Sequence, residues 1–300
     1  MLTPKILNEQ VSYYMQELHF PEDAKADLLE ALDKMCKDGE SFAFLCDTLT
    51  AYRADRLCHL TPVLEKVEKI SDQLNIHPYT GGLLLYLCLA DGMRAHYRAK
   101  GLEDALFWNA LADLGYKLEE CRLVHGINGS FVAQWFGGFF HLTRFALGRL
   151  QFELTTLKKP ASCRGIPLPV GSTAIGVHIP RTGTRLDHDE VKKAYEMARD
   201  FFADAFDGGP VIFNCSSWLL YPWNLEVLSP TSNLRAFILD YEIVRSGDYA
   251  DYSALWRLFD CNYTGNPDDL PQNSSLRRAY AARVKRGEPT GYGVGFFVMD

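Results

Sequence analysis

The stretch from Arg149 to Trp218 constrains the fold of this chain more than any other. It reads as strand (RLQFEL), strand (AIGVHIP), short loop (RTGTR), amphipathic helix (LDHDEVKKAYEMARDFFADAF) and strand (PVIFNCSSW). In the first strand Leu150, Phe152 and Leu154 alternate with Gln151 and Glu153, the period-two pattern of a strand with two unlike faces. In the second, Ile175, Val177 and Ile179 make one face, and Ala174, Gly176 and His178 make the other. Pro180 ends it by removing a ladder donor. A strand that feeds a helix through a short, basic, Gly-containing turn is a frequent holder of anionic cofactors. Backbone N–H groups and the helix dipole converge there on phosphate oxygens. A nucleotide or coenzyme A is therefore the leading expectation for a ligand.

The rest of the chain divides in two. Residues 1–143 read almost wholly helical, with Pro4, Pro21 and Pro78 at helix starts and Gly39 at a helix end. Helical patterns run over about 40–56, 61–74, 78–99 and 103–125, and the aromatic, Gly-rich stretch 131–142 is expected to be a last helix. Such lengths and short breaks suit a helical bundle. From residue 144 the pattern changes, and ten of the 14 prolines lie beyond it. There we expect a hairpin or loop at 160–171, strand 174–179, helix 187–206 and strand 211–216. A short helix near 222–228, strand 235–245, a segment at 254–260, helix 274–286 and strand 291–298 follow. The expected domains are therefore 1–143 and 144–300. Charge divides the same way. Residues 1–143 hold 13 Lys/Arg against 20 Asp/Glu, and residues 144–300 hold 18 of each, so the second part is the less repulsive place for an anion.

Composition excludes several classes. A net charge of −7 argues against general nucleic-acid binding. No C-x-x-C or H-x-x-x-H spacing supports a metal. Eight cysteines in a long, 47% apolar chain read as reduced thiols of a cytoplasmic protein rather than as a disulfide scaffold. The start of the chain lacks the apolar run of a signal peptide, and the longest apolar run, Leu83–Ala90, is too short to span a bilayer, which needs about 20 residues.

Candidate functional residues cluster around the constraining stretch. Arg181, Thr182, Gly183 and Arg185, beside Ile179 at the strand end, offer two cations, a hydroxyl and flexible backbone to a pyrophosphate. The acids Asp187, Asp189 and Glu190 that open the helix oppose that role, and solvated arginines on an ordinary loop are the plain alternative. His178 lies on a face of small residues, and an imidazole there has the chemistry of a general base. Glu153 could serve the same end or face solvent. Cys215 at a strand end could be a nucleophile or a buried inert thiol. Ser217 and Trp218 follow it and could line a cleft.

The strings LGRLQFEL, GVHIPRTGTRLDHDEVKKAYEMARDFF, FNCSSWLLYP and SNLRAFILDYEIV together resemble an acyltransferase-domain family found mainly in Firmicutes. The resemblance spans nearly the whole chain and is clearest over residues 145–245. It implies an α+β protein: an N-terminal all-helical N-acyltransferase domain followed by a GNAT-like mixed β-sheet domain flanked by helices. It implies acetyl-CoA or another acyl-CoA as co-substrate, no metal, and a small-molecule amine acceptor. Strand 174–179 and the loop Arg181–Arg185 would be the fourth strand and phosphate turn, and strand 211–216 its splayed neighbour. His178 or Glu153 would be the base, and Cys215, Ser217 and Trp218 would border the gap. The sequence departs from the usual R/Q-x-x-G-x-G/A turn, having one glycine, Gly183, in Arg181–Arg185. Two other readings belong beside this one: a non-catalytic GNAT-like ligand-binding or interaction module, and a thiol enzyme that carries the acyl group on Cys215.

Overall fold

A computed structural model describes residues 2–299. The chain forms two compact units, Met1–Phe145 and Ala146–Asp300. The first is built from α1 (Pro4–Glu17), α2 (Glu22–Lys37), α3 (Gly39–Arg53), α4 (Thr61–Gln73), α5 (Pro78–Ala99), α6 (Asp104–His125) and the single turn α7 (Gly137–Phe140). Local chemistry sets the ends. Thr3 accepts from the N–H of Ile6, and Asp38 accepts from that of Ser41. Gly126 closes α6 in the left-handed region at φ 70°. The run Leu83–Ala90 is at most 2% exposed, so the middle of α5 is buried on every side. Helices α1, α2, α3, α4 and α6 pack on it. The approach of α3 is close enough that a Cβ on Gly92 would come within 2.7 Å of the Tyr52 ring.

The second unit carries β1 (Arg144–Leu147), β2 (Leu150–Thr156), β3 (Ala161–Cys163), β4 (Ile166–Leu168), β5 (Thr173–His178), α8 (His188–Phe201), β6 (Val211–Ser217), α9 (Asn224–Val227), α10 (Asn233–Leu239), β7 (Glu242–Asp248), α11 (Trp256–Phe259), α12 (Ser275–Lys285) and β8 (Gly291–Met299). The first of these strands runs across the division between the units. Six strands form one mixed sheet in the order β1-β2-β5-β6-β8-β7. The β5–β6 pair is parallel, whereas β2–β5, β6–β8 and β7–β8 are antiparallel. The expectation of an α+β protein, helical first and sheet-bearing second, is met. The segment at 160–171 is the antiparallel hairpin β3–β4.

Three expectations need correction. Residues 131–142 form only a 3-10 turn and the one-turn α7, because Gly137 and Gly138 favour no helix and Gly138 lies under the Arg144 guanidinium, where a Cβ would meet Nη1 at 2.8 Å. Segment 235–245 is not one strand. Residues Asn233–Leu239 are helical and the strand begins at Glu242. The run Ala236–Leu239 is apolar without alternation, a pattern that period alone does not assign to strand or helix. Third, β1 is a strand that the sequence reading lacked. It is joined to β2 by Gly148 at φ 62°, which lies against Ala194 and Met197 of α8.

Candidate active site

Strand register assigns the candidates Glu153, His178 and Cys215 to faces of the sheet. Phe152 lies opposite Val177, Leu154 opposite Ile175, Ile175 beside Phe213, and Phe213 opposite Phe297. These residues form the face on which α8 packs. Tyr195 of α8 meets the Phe213 and Phe297 rings at 5.5 and 4.6 Å, and those two rings stack at 4.5 Å, 3° from parallel. The alternate residues form the other face. Glu153 lies opposite Gly176, Gly176 beside Asn214, and Asn214 opposite Phe296. Hairpin β3–β4 covers part of this second face, its Cys163 packed with Ala174, Val294 and Phe296.

The parallel strands β5 and β6 are in register only at Ile175–Phe213 and Gly176–Asn214. Beyond that point β5 continues to His178 and β6 to Ser217, but they no longer pair, so a gap opens between their carboxyl ends. His178 and Glu153 stand beside this gap on the second face. His178 Nε2 lies 2.9 Å from Glu153 Oε1, and their side chains are 29% and 23% exposed. Gly176 makes the contact possible, since a Cβ there would come within 2.9 Å of Thr155 Cγ2 and 3.5 Å of Glu153 Cγ. A carboxylate holding one imidazole nitrogen, within reach of solvent, is an arrangement that can take a proton from a nucleophile.

The turn after β5 is built by residues far apart in sequence. Arg149 donates to the carbonyls of Pro180, Thr184 and Arg185, which fastens the loop to the start of β2. Arg181 Nε donates to Asp260 Oδ1 at 2.9 Å, and Asp260 Oδ2 accepts from Arg277 at 2.6 Å. Arg181 is therefore held by a shared carboxylate. Asp187 caps α8 by accepting the N–H groups of Asp189 and Glu190, so these donors are taken. In the turn itself Thr182 Oγ1 lies 2.8 Å from Thr184 Oγ1, the backbone at Gly183 is open (φ 77°, nothing within 4 Å of a Cβ), and the exposed Arg185 makes no ion pair among the described residues. Ile179 is half-buried at the strand end.

The three candidates on β6 and just beyond it separate. Cys215 falls on the α8 face, 1% exposed, and burial pushes its thiol up to about 12. Its side chain does not line the gap, and a protonated, enclosed thiol is no acyl carrier. Strand parity is the reason: residues alternate, and Cys215 follows Phe213 into the core. Ser217 uses its hydroxyl to accept from the Leu219 N–H at 3.2 Å. Trp218 is half-buried, edge-on to Tyr280 of α12. Asp260, Arg277 and Asn214 are neighbours of these residues that the sequence reading did not single out. Asp260 carried no signal, lying 79 residues from the arginine it holds.

Residues 9–142 match the N-acyltransferase N-terminal domain, and residues 144–297 match the GNAT-like C-terminal domain. Among solved structures, an acyltransferase in complex with decanoyl-CoA and teicoplanin is 24% identical with a TM-score of 0.76, covering 97% of this chain and 88% of that one. An acyltransferase mutant in complex with octanoyl-CoA is 23% identical with a TM-score of 0.76 over the same shares, 97% and 88%. An acyltransferase in complex with CoA and 10C-teicoplanin is 21% identical with a TM-score of 0.68, covering 98% of this chain and 99% of that one. No curated protein matches significantly.

Proposed function

This chain belongs to the family defined by the GNAT-like C-terminal domain, here preceded by the N-acyltransferase N-terminal domain, and from that premise we propose that this acyltransferase moves an acyl group from coenzyme A to an amine of a small molecule. The observation that carries the reading is the gap between β5 and β6 with the Glu153–His178 pair beside it. The solved acyltransferases of the same fold hold decanoyl-CoA, octanoyl-CoA or CoA, which supports an acyl-CoA here, and two of them hold a teicoplanin, which supports a small-molecule acceptor.

The thioester supplies an activated carbonyl. The amine nitrogen attacks it, the C–N bond forms as the C–S bond breaks, and CoA leaves as its thiol after taking up a proton. The chain positions the two reactants and moves that proton. Glu153 fixes the imidazole, and His178 accepts the proton that the amine loses on attack. Backbone N–H groups where β5 and β6 part are the donors proposed for the acyl carbonyl oxygen. Thr182, Gly183, Thr184 and Arg185 hold the pyrophosphate, with Arg181 and Ile179 framing the turn. Trp218 and Ser217 border the gap from the β6 side. No helix among the described residues is long and apolar enough to cross a membrane, and the eight cysteines are free, as suits a reducing compartment such as the cytoplasm.

The test is a calorimetric titration of acetyl-, octanoyl- and decanoyl-CoA into wild type and an Arg181→Ala/Arg185→Ala variant, followed by a thiol-release assay over a panel of amines. Micromolar affinity that the double variant loses, with amine-dependent CoA release, is the expected outcome. Absence of binding by every acyl-CoA would sink the reading.

A further inference from the structure

The second face of the sheet holds a cleft of about 710 Å³, whose floor is Val294 and Phe296 with Asn214 and Ser216 beside them. Its rim carries Lys158 and Lys159 from the end of β2 and Arg245 from β7. None of the residues lining it is acidic, although the chain has 38 Asp/Glu against 31 Lys/Arg. All three cations are exposed, and none is in an ion pair among the described residues. Two acids on this face are engaged elsewhere. Glu153 meets His178, and Glu242 Oε2 accepts from the backbone N–H of Arg164 at 2.6 Å.

A specific backbone irregularity directs Arg245 here. The β7–β8 ladder shifts between Ile243 and Arg245, so that Arg245, not Val244, lies opposite Val294. Without the extra residue, alternation would send Arg245 to the α8 face. Bulges re-aim side chains in this way. The cleft also adjoins the proposed chemistry. Glu153, Gly176 and Asn214 form one row across three strands, two interstrand steps of about 4.8 Å each. Lys158 and Lys159 lie at the other end of β5 from the turn at Arg181–Arg185, a strand length of roughly 20 Å. A pyrophosphate held at the turn is therefore out of their reach.

We infer that this cleft binds the acceptor and that the acceptor carries an anionic group, a carboxylate or a phosphate, recognised by Lys158, Lys159 and Arg245. The inference rests on the acyltransferase reading above and names its substrate class. The probes are product-like amides: N-octanoylglycine for the carboxylate, N-octanoylphosphoethanolamine for the phosphate, and neutral N-octanoylglycinamide as reference. Each is titrated calorimetrically into wild type and into K158Q/K159Q/R245Q, with and without CoA. These exposed substitutions should leave the melting temperature unchanged. Wild type should bind at least one acidic probe about fivefold to tenfold more tightly than the glycinamide. The variant should lose that preference while keeping its CoA affinity, and the better of the two acidic probes identifies the anion. Equal or undetectable binding of acidic and neutral probes by wild type overturns the inference. So does a preference that survives in the variant, or a loss of CoA affinity there, which would assign the cations to the cofactor. If wild type fails to bind acyl-CoA, the proposed function fails by itself, and the probe comparison without CoA still decides the inference.

Discussion

The two faces of the second unit's sheet are written by the same strands, one residue out of step, and they do opposite work. On the α8 face, Phe152, Val177, Phe213, Cys215 and Phe297 are closed against Tyr195 and Tyr241 with almost no solvent access. On the other face the same strands present Glu153, His178, Asn214 and Ser216, all with some exposure, around a gap and a cleft. Stability is concentrated where alternation places aromatics, and chemistry is available where it places small and polar residues. Gly176 belongs to the second set, its missing side chain leaving the space that Glu153 uses. A one-residue slip of β5 would exchange the two sets, which is why burial of one face fixes the register of the other.

The comparison would break first on its aromatic side. Phe213→Ala removes one ring of the stacked pair from a site that is 0% exposed. We expect a loss of about 3–5 kcal/mol in unfolding free energy, read from urea midpoints. A loss below about 1 kcal/mol would mean that this face is not the one that holds the sheet together.

Next in size is the polar pair. His178→Gln should lower kcat by about 10²–10⁴-fold and Glu153→Gln by less, with urea midpoints close to wild type. Their effects should be strongly non-additive, because the two residues act through one hydrogen bond at 2.9 Å. Full activity in either single variant would remove that residue from the proton path. Gly176→Val should copy the Glu153 defect, since its side chain must take the space that Thr155 and Glu153 occupy.

Smaller again is the effect of the turn. Asp260→Asn releases Arg181 from a carboxylate that it shares with Arg277. If Asp260 only orients Arg181, acyl-CoA affinity should fall by a few-fold, about 1 kcal/mol. Should the affinity rise instead, Asp260 competes with the phosphate for Arg181, and the native turn is partly occluded.

How much of this was legible beforehand follows from the range of the forces involved. Period-two alternation in 150–154 and 174–179 located both strands and both faces, and with them the side on which Glu153 and His178 lie. The helix after the turn was legible from its amphipathic spacing and its Asp187 cap. Features made by distant partners were not. Asp260 meets Arg181 only because α11 ends in a left-handed residue at φ 58°, and Lys158 joins Arg245 only through a bulge. The run 236–239 was misread because a short apolar segment without alternation looks alike in either conformation.

The smallest effect tests Cys215, the residue on which the two faces disagree most plainly with a reading by residue type. A thiol one residue from Ser216 could be a nucleophile on the open face; on the closed face it is packing. Cys215→Ala should cost about 1 kcal/mol and leave the specific activity of the folded protein intact. Its titration gives an independent check. The folded thiol is held at about 12 by burial, against an ordinary value of 9.0. Because the folded pKa is the higher one, the neutral form favours the native state. Its contribution is complete below about pH 9 and is lost as pH rises toward 12, where the unfolded chain releases a proton that the folded chain keeps. Wild type should therefore lose stability in that window faster than Cys215→Ala, by up to about 1.4 kcal/mol per pH unit. In the native protein at pH 8, iodoacetamide should label exposed Cys58 and spare Cys215. Rapid native labelling of Cys215, with loss of acyl transfer, would place the thiol on the open face and return the acyl-carrier mechanism to first position.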